Sequence, residues 1–230
     1  MDSWNKEMML STKTILSFDI GIKNLAFAVI EVNDNKRMRL RRWGILNLTC
    51  SFEKDKKKSS KMTPDDLVTS LVYELDREFG DGEVFDIVLL ENQPSRKNPI
   101  MKNIQMAMHS YFATMRLHMA TVGQIRLVGA TQKLVCSAAS TMLTTTSTSS
   151  YKDRKAMSIQ LTALYIPQLL PDKSSSSSPS SSIVECSGDE LVHVVEVYRA
   201  FKKRDDLCDA FLQAVTFTEK WGTGTERNEQ

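Results

Sequence analysis

A chain of 230 residues, 41% hydrophobic and 25% charged, has the size and composition of one globular domain, with room for a subdomain. No apolar run approaches the roughly 18 residues needed to cross a bilayer, so membrane insertion is not expected. The net charge of +2 is too small to argue for nucleic-acid binding by itself. Four cysteines (Cys50, Cys136, Cys186 and Cys208) show no C-x-x-C spacing and pair with none of the three histidines, so neither a zinc site nor a disulfide framework is supported. The first residues, MDSWNKEMMLSTK, lack an apolar signal core and carry acids a transit peptide avoids, which leads to the expectation of an intracellular, soluble protein.

The element pattern alternates. TILSF and LAFAVIEV are β-rich runs separated by the turn-like DIGIKN, which reads as a hairpin, and RMRLRRWGIL adds a third strand. Arg37, Arg39 and Arg41 fall on one face of that strand, because side chains alternate with period two. A solvated, charge-protected edge explains this patch at least as well as phosphate binding does. Residues 50 to 62 are polar and lysine-rich. The helix that follows starts at a Thr63 cap with Pro64 first, and buries Leu67, Val68, Leu71, Val72, Leu75 and Phe79 at helical spacing. DIVLLE, 86 to 91, reads as a strand covered on both sides.

A long helix is predicted from Pro99 to about residue 122, with methionines, His109 and His118 read as packing residues, followed by the strand QIRLVGA. YKDRKAMSIQLTALYI reads as a basic-headed helix. The serine and proline tract at 173 to 182 cannot build a core and reads as a disordered insertion. The last helix, DDLCDAFLQAVTF, is apolar over most of its circumference, as in a helix packed on both sides.

Four carboxylates break these apolar runs. Asp19 ends the first strand, Glu91 ends the central one, and Asp206 and Asp209 lie three apart on one face of the last helix. Burying such acids costs several kcal/mol or more unless something neutralises them. Capping by Asp205 or Asp206 would account for one aspartate and not for both Asp206 and Asp209. A divalent cation is the simplest neutraliser, since hard cations take oxygen ligands and two-metal phosphoryl-transfer sites are assembled from scattered acids.

The stretches FDIGIKNLAFAVIE, LLENQPSRKNPIMKNIQMAMHSYF and KKRDDLCDAFLQA resemble the three acidic motifs of the RuvC-like Holliday junction resolvases. The likeness is to the branch found in poxviruses and other large DNA viruses, and to the related fungal mitochondrial enzymes. It runs over roughly residues 14 to 217 with QIRLVGATQKL and YKDRKA between. The resemblance implies an α/β, RNase H-like fold with a central mixed sheet, antiparallel first strands and flanking helices. It also implies a homodimer that holds a four-way DNA junction and makes paired, Mg²⁺-dependent incisions.

On that resemblance, residues 1–13 are an N-terminal extension, 14–217 the nuclease domain and 218–230 a tail. Asp19, Glu91, Asp206 and Asp209 match the catalytic, metal-binding acids. D-D-x-x-D leaves open whether Asp205 replaces Asp206. Two Mg²⁺ ions per site are expected, with Mn²⁺ as a substitute and no small-molecule cofactor. Arg96 and Lys97, after Glu91, are the favoured DNA contacts. Lys152, Arg154 and Lys155, and Lys202, Lys203 and Arg204, are further candidates that solvated helix ends explain equally well. The long methionine-rich helix is the expected dimer surface. The expected setting is a viral replication site in the host cytoplasm or nucleus rather than a mitochondrion.

Competing readings are an actin-like ATPase, which would need a second glycine-rich phosphate loop, a non-catalytic junction-binding relative, and a nuclease of the same fold acting on hybrids or flaps.

Overall fold

The computed structural model describes residues 11–49, 62–96, 98–137, 151–166, 184–185 and 188–221. The serine-rich tract and Lys97 lie outside these residues, as does the side chain of Lys152. Strands β1 (Thr12–Asp19), β2 (Leu25–Asn33) and β3 (Met38–Leu46) form an antiparallel meander. Helix α1 (Pro64–Phe79) leads to β4 (Phe85–Asn92), and α2 (Pro99–His118) leads to β5 (Val122–Gly129). A 3₁₀ turn (Ala130–Leu134), helix α3 (Tyr151–Tyr165), the short β6 (Val184–Glu185), α4 (Gly188–Ala200) and α5 (Arg204–Lys220) complete the described chain. The six strands lie in the order β5-β4-β1-β2-β3-β6, with β4 parallel to both β1 and β5.

The expected antiparallel opening, buried parallel strand and flanking helices are all present. Thr63 closes a reciprocal capping box with Asp66, so α1 starts where its sequence predicts. β6, α4 and the 3₁₀ turn were not anticipated. Strands β1 and β5 begin at Thr12 and Val122, each two residues before its predicted start, and α5 continues to Lys220.

Helices cover both faces of the sheet, giving three layers. On one side, α1 and α2 deliver Leu71, Leu75, Phe79, Met108 and Phe112 against Leu16, Phe18, Phe27, Val88 and Leu90. Phe18, Phe27, Phe79, Phe85 and Phe112 form a ring cluster there, with neighbouring centroids 5.1–6.4 Å apart. Each such side chain, fully buried, contributes about 1.5–3 kcal/mol. On the other side, α5 lies across β1, β2 and β3, and Ala26 and Ala28 are small enough to let it approach. Trp43 stacks on Tyr198 of α4 at 5.8 Å and donates its indole N–H to the Leu207 carbonyl at 2.9 Å, which fixes the first turn of α5 over the sheet.

The period of two decides which strand residues meet α5. Ile15, Ile87 and Leu89 belong to the α5-side core, so Ser17, Asp19 and Glu91, each two residues on, face that side as well. Asp19 and Glu91 stand one step beyond the paired Phe18 and Leu90 at the carboxyl ends of adjacent parallel strands. On α5, Asp206, Asp209 and Gln213 occur at i, i+3 and i+7 and share one stripe. Gln213, fully buried, donates to Ser17 Oγ at 3.1 Å and to the Phe18 carbonyl at 3.2 Å, which anchors that stripe over β1.

Candidate active site

The four predicted acids come together. Asp19, Glu91, Asp206 and Asp209 line one cavity of about 440 Å³ at the carboxyl ends of β1 and β4, joined by Ala130, Thr131, Lys133, Arg154 and Lys155. Strand ends, the 3₁₀ turn, α3 and α5 each contribute to its wall.

The centre is held by a residue the sequence did not single out. Lys133, from the 3₁₀ turn, is only 6% exposed; its Nζ is ion-paired to Asp19 and lies 3.4 Å from Glu91 Oε1 and 3.5 Å from Asp209 Oδ2. Burial disfavours the ammonium, but Asp19, Asp209 and Glu91 outweigh it, so Lys133 holds its proton more firmly than an ordinary lysine. Thr216 of α5 donates to the Lys133 carbonyl at 3.4 Å and fastens the turn. Nothing in QIRLVGATQKL distinguishes this lysine from a solvated one, because its position depends on where β5 ends.

One buried ammonium does not balance four carboxylates. Burial pushes the Asp19 carboxyl up to about 7, with Lys133 pulling down and Glu91 pushing further up. Burial, Asp205 and Asp19 push Asp206 up to about 6, and burial also raises Asp209 against the pull of Lys133. These are acids short of positive charge.

Three of the four carboxylates are also oriented by a neutral donor. Asn24, in the turn between β1 and β2, donates its amide to Asp206 Oδ2 at 2.9 Å. Gln93 donates its side-chain amide to Glu91 Oε2 at 2.9 Å and its backbone N–H to Gln105 of α2 at 2.8 Å. Ser158 of α3 donates to Asp209 Oδ1 at 2.5 Å. Asn24 and Gln93 lie within the quoted acidic motifs, so their presence was legible although their role was not.

Asp206 lines the cavity and Asp205 does not, although Lys155 is within ion-pair reach of both. Neither caps α5, whose N-cap residue, Lys203, makes no side-chain capping bond. Asp205 pairs with Lys155 of α3, and although burial raises its pKa, the bond and charge of Lys155 hold it below the usual range.

The basic candidates separate by position. Arg154 and Lys155 line the cavity; Arg96, Lys202, Lys203 and Arg204 do not, and the Arg204 guanidinium lies 5.0 Å from the Tyr198 ring. In the arginine patch, Arg41 bonds Glu31 at 2.8 Å; the neighbouring Arg42, outside the patch, bonds Glu83 at 2.5 Å.

Among the described residues, no group of three or more histidine, cysteine or acidic side chains is spaced to hold a metal ion as the side chains stand, with the Lys133 ammonium at the centre. The donor chemistry nevertheless fits a hard cation. All four side chains are carboxylates, they converge on one cavity, and a positive charge already stands between three of them.

Known proteins share this arrangement of elements. Residues 15–105 match the family model described as Mitochondrial resolvase Ydc2 / RNA splicing MRS1. The uncharacterized protein L451 of Acanthamoeba polyphaga mimivirus is 29% identical over 149 residues, 61% of this chain and 31% of that protein, so the match spans about a third of that relative's length. The yeast mitochondrial Holliday junction resolvase Ydc2 superposes with a TM-score of 0.59 at 16% identity, covering 91% of this chain and 80% of that one. The fowlpox virus resolvase, solved with its substrate Holliday junction DNA, superposes with a TM-score of 0.51 at 16% identity, covering 90% and 97%. The chain therefore has the RNase H-like fold of the Holliday junction resolvases and carries the sequence pattern of the Ydc2 family over residues 15–105.

Proposed function

We propose that this protein is a Holliday junction resolvase, a metal-dependent endonuclease that makes paired, symmetric incisions in four-way DNA junctions. The observation that carries the reading is the convergence of Asp19, Glu91, Asp206 and Asp209 on one cavity in a fold shared with junction-cutting enzymes. The four carboxylates would hold two Mg²⁺ ions, with Mn²⁺ as a substitute. Such ions supply Lewis acidity that activates water and neutralises charge on the cleaved phosphodiester.

The chain's own residues do the rest. Asn24, Gln93 and Ser158 fix the rotamers of three of the acids, so that oxygen donors are in place before DNA arrives. Lys133 balances part of the negative charge in the free protein, and its ammonium is within reach of a phosphate oxygen entering the cavity. Arg154 and Lys155 meet the strand on the α3 side of the cavity. The products carry 5′-phosphate and 3′-hydroxyl ends.

Selectivity for a junction over linear duplex requires two such sites at a fixed separation, which a homodimer through α2 supplies. Ile100, Met106 and Leu117 are exposed on that helix, 48%, 50% and 74% respectively, and are the apolar surface available for it. Affinity then depends on phosphate contacts, so it falls steeply with salt and is largely indifferent to base identity. No described helix is long and apolar enough to cross a membrane. The mimivirus relative supports a viral setting, in which a junction resolvase would serve recombination or genome resolution.

The test is a labelled four-way junction and a matched linear duplex, each incubated with Mg²⁺ or EDTA. Nicks confined to the junction and to Mg²⁺ are expected, with Asp19→Asn binding the junction but leaving it intact. Binding without cutting by the wild type would reduce the protein to a junction-binding role, and cutting of hybrids or flaps in place of junctions would change the substrate.

A further inference from the structure

The adjacent aspartates at the start of α5 are chemically identical and one residue apart, and both lie within ion-pair reach of Lys155, yet only Asp206 lines the cavity. Asp206 lines the cavity and receives the Asn24 amide at 2.9 Å. Asp205 is absent from the cavity wall, and its carboxylate is ion-paired with Lys155 of α3. The Lys155 ammonium, by contrast, reaches the cavity wall and lies 3.8 Å from Asp206 Oδ1.

Lysine is a flexible point charge, and a third of this side chain is exposed, 32%. Without Asp205 it would keep Asp206 within ion-pair reach, and there it would compete with any cation for a cavity oxygen. With Asp205 in place, Lys155 is held in the cavity wall and partly exposed, where a phosphate entering the cavity would meet it.

We infer that Asp205 is a positioning residue and not a metal ligand: it draws Lys155 away from Asp206 and presents its ammonium to the DNA strand being cut. This rests on the nuclease reading above. It assigns the two members of D-D-x-x-D to separate tasks, Asp206 to the metal side and Asp205 to the phosphate side. The requirement at 205 is therefore a negative charge, whereas the requirement at 206 is an oxygen donor of fixed reach.

Mn²⁺ titration by calorimetry on the full chain separates the two aspartates without any need for cutting. Asp205→Asn is expected to bind Mn²⁺ up to about threefold more weakly than wild type, because Lys155 then competes at Asp206, and Asp206→Asn at least about tenfold more weakly. In single-turnover junction cleavage with Mg²⁺, Asp205→Asn is expected to lose about 10- to 100-fold in rate, and Asp205→Glu to recover most of it. The double variant Asp205→Asn/Lys155→Gln should be no slower than Lys155→Gln alone, because the two act as one unit.

Loss of Mn²⁺ binding in Asp205→Asn with retention in Asp206→Asn would make Asp205 the ligand and overturn the inference. Additive losses in the double variant, or an unchanged rate in Asp205→Asn, would overturn it as well. Wild-type protein that binds Mn²⁺ but leaves the junction whole would instead overturn the nuclease reading, and the Lys155 role with it.

Discussion

The Lys133 ammonium stands among three carboxylates with almost no access to water, so its removal would leave buried negative charge unbalanced. Breaking a buried ion pair by deleting one partner costs about 3–5 kcal/mol, far more than the loss of a surface pair. Lys133→Met is therefore expected to lower the stability of the metal-free protein by about that amount in urea unfolding with EDTA. A change under about 1 kcal/mol would mean that the acids relax into water instead.

The same shortage of positive charge sets a pH dependence. Asp19 and Asp206 have pKa values of about 7 and about 6 in the folded protein, against 3.8 ordinarily. Their protonation favours the folded state fully below the ordinary value, and that contribution is lost as pH rises through the folded values. Mg²⁺ competes with those protons. The rise in Tm on adding Mg²⁺ should therefore grow between about pH 5 and about pH 8. An equal or larger rise at the acid end would contradict the assignment of these acids to a cation.

At the scale of elements, the turn between β1 and β2 carries more than a reversal of direction. A Cβ on Gly21 would lie 2.4 Å from the Asn24 carbonyl oxygen, so any side chain there must push the turn open. Asn24 is also the residue that holds Asp206. Gly21→Ala is expected to cost about 1–3 kcal/mol through overpacking and to slow cutting by loosening Asp206. Full activity and full stability together would show that the turn yields freely.

Most of these elements were legible because their signals are local. Thr63 and Pro64 announce α1, the run ending at Glu91 announces a buried strand, and the acids of α5 interrupt an otherwise apolar helix. Lys133, Ser158 and Gln213 were not legible in the same way. Their roles depend on where β5 stops and how α3 and α5 cross the sheet, which no local spacing encodes. The arginine patch left two readings open, a solvated edge or a phosphate-binding face, and the pairing of Arg41 with Glu31 of the adjacent β2 favours neither a free nor a DNA-facing role for that residue.

For the whole molecule, the sheet brings acids from residue 19 to residue 209 within one cavity, and α1 and α2 stabilise its opposite face without touching the chemistry. That separation leaves α2 available to join two copies and space two cavities across a branched duplex. On the proposed function, paired, symmetric hydrolysis would give a product no single nick can imitate, a nicked duplex whose ends DNA ligase rejoins directly.

The most direct measurement is to cut a mobile-arm-free four-way junction with wild-type protein in Mg²⁺, map both incised strands, and treat the products with ligase. The account predicts incisions at equivalent positions in opposing strands, full rejoining to linear strands, and no products with EDTA or with Asp19→Asn. Incisions in one strand only, ends that ligase cannot seal, or undiminished cutting by Asp19→Asn would contradict it.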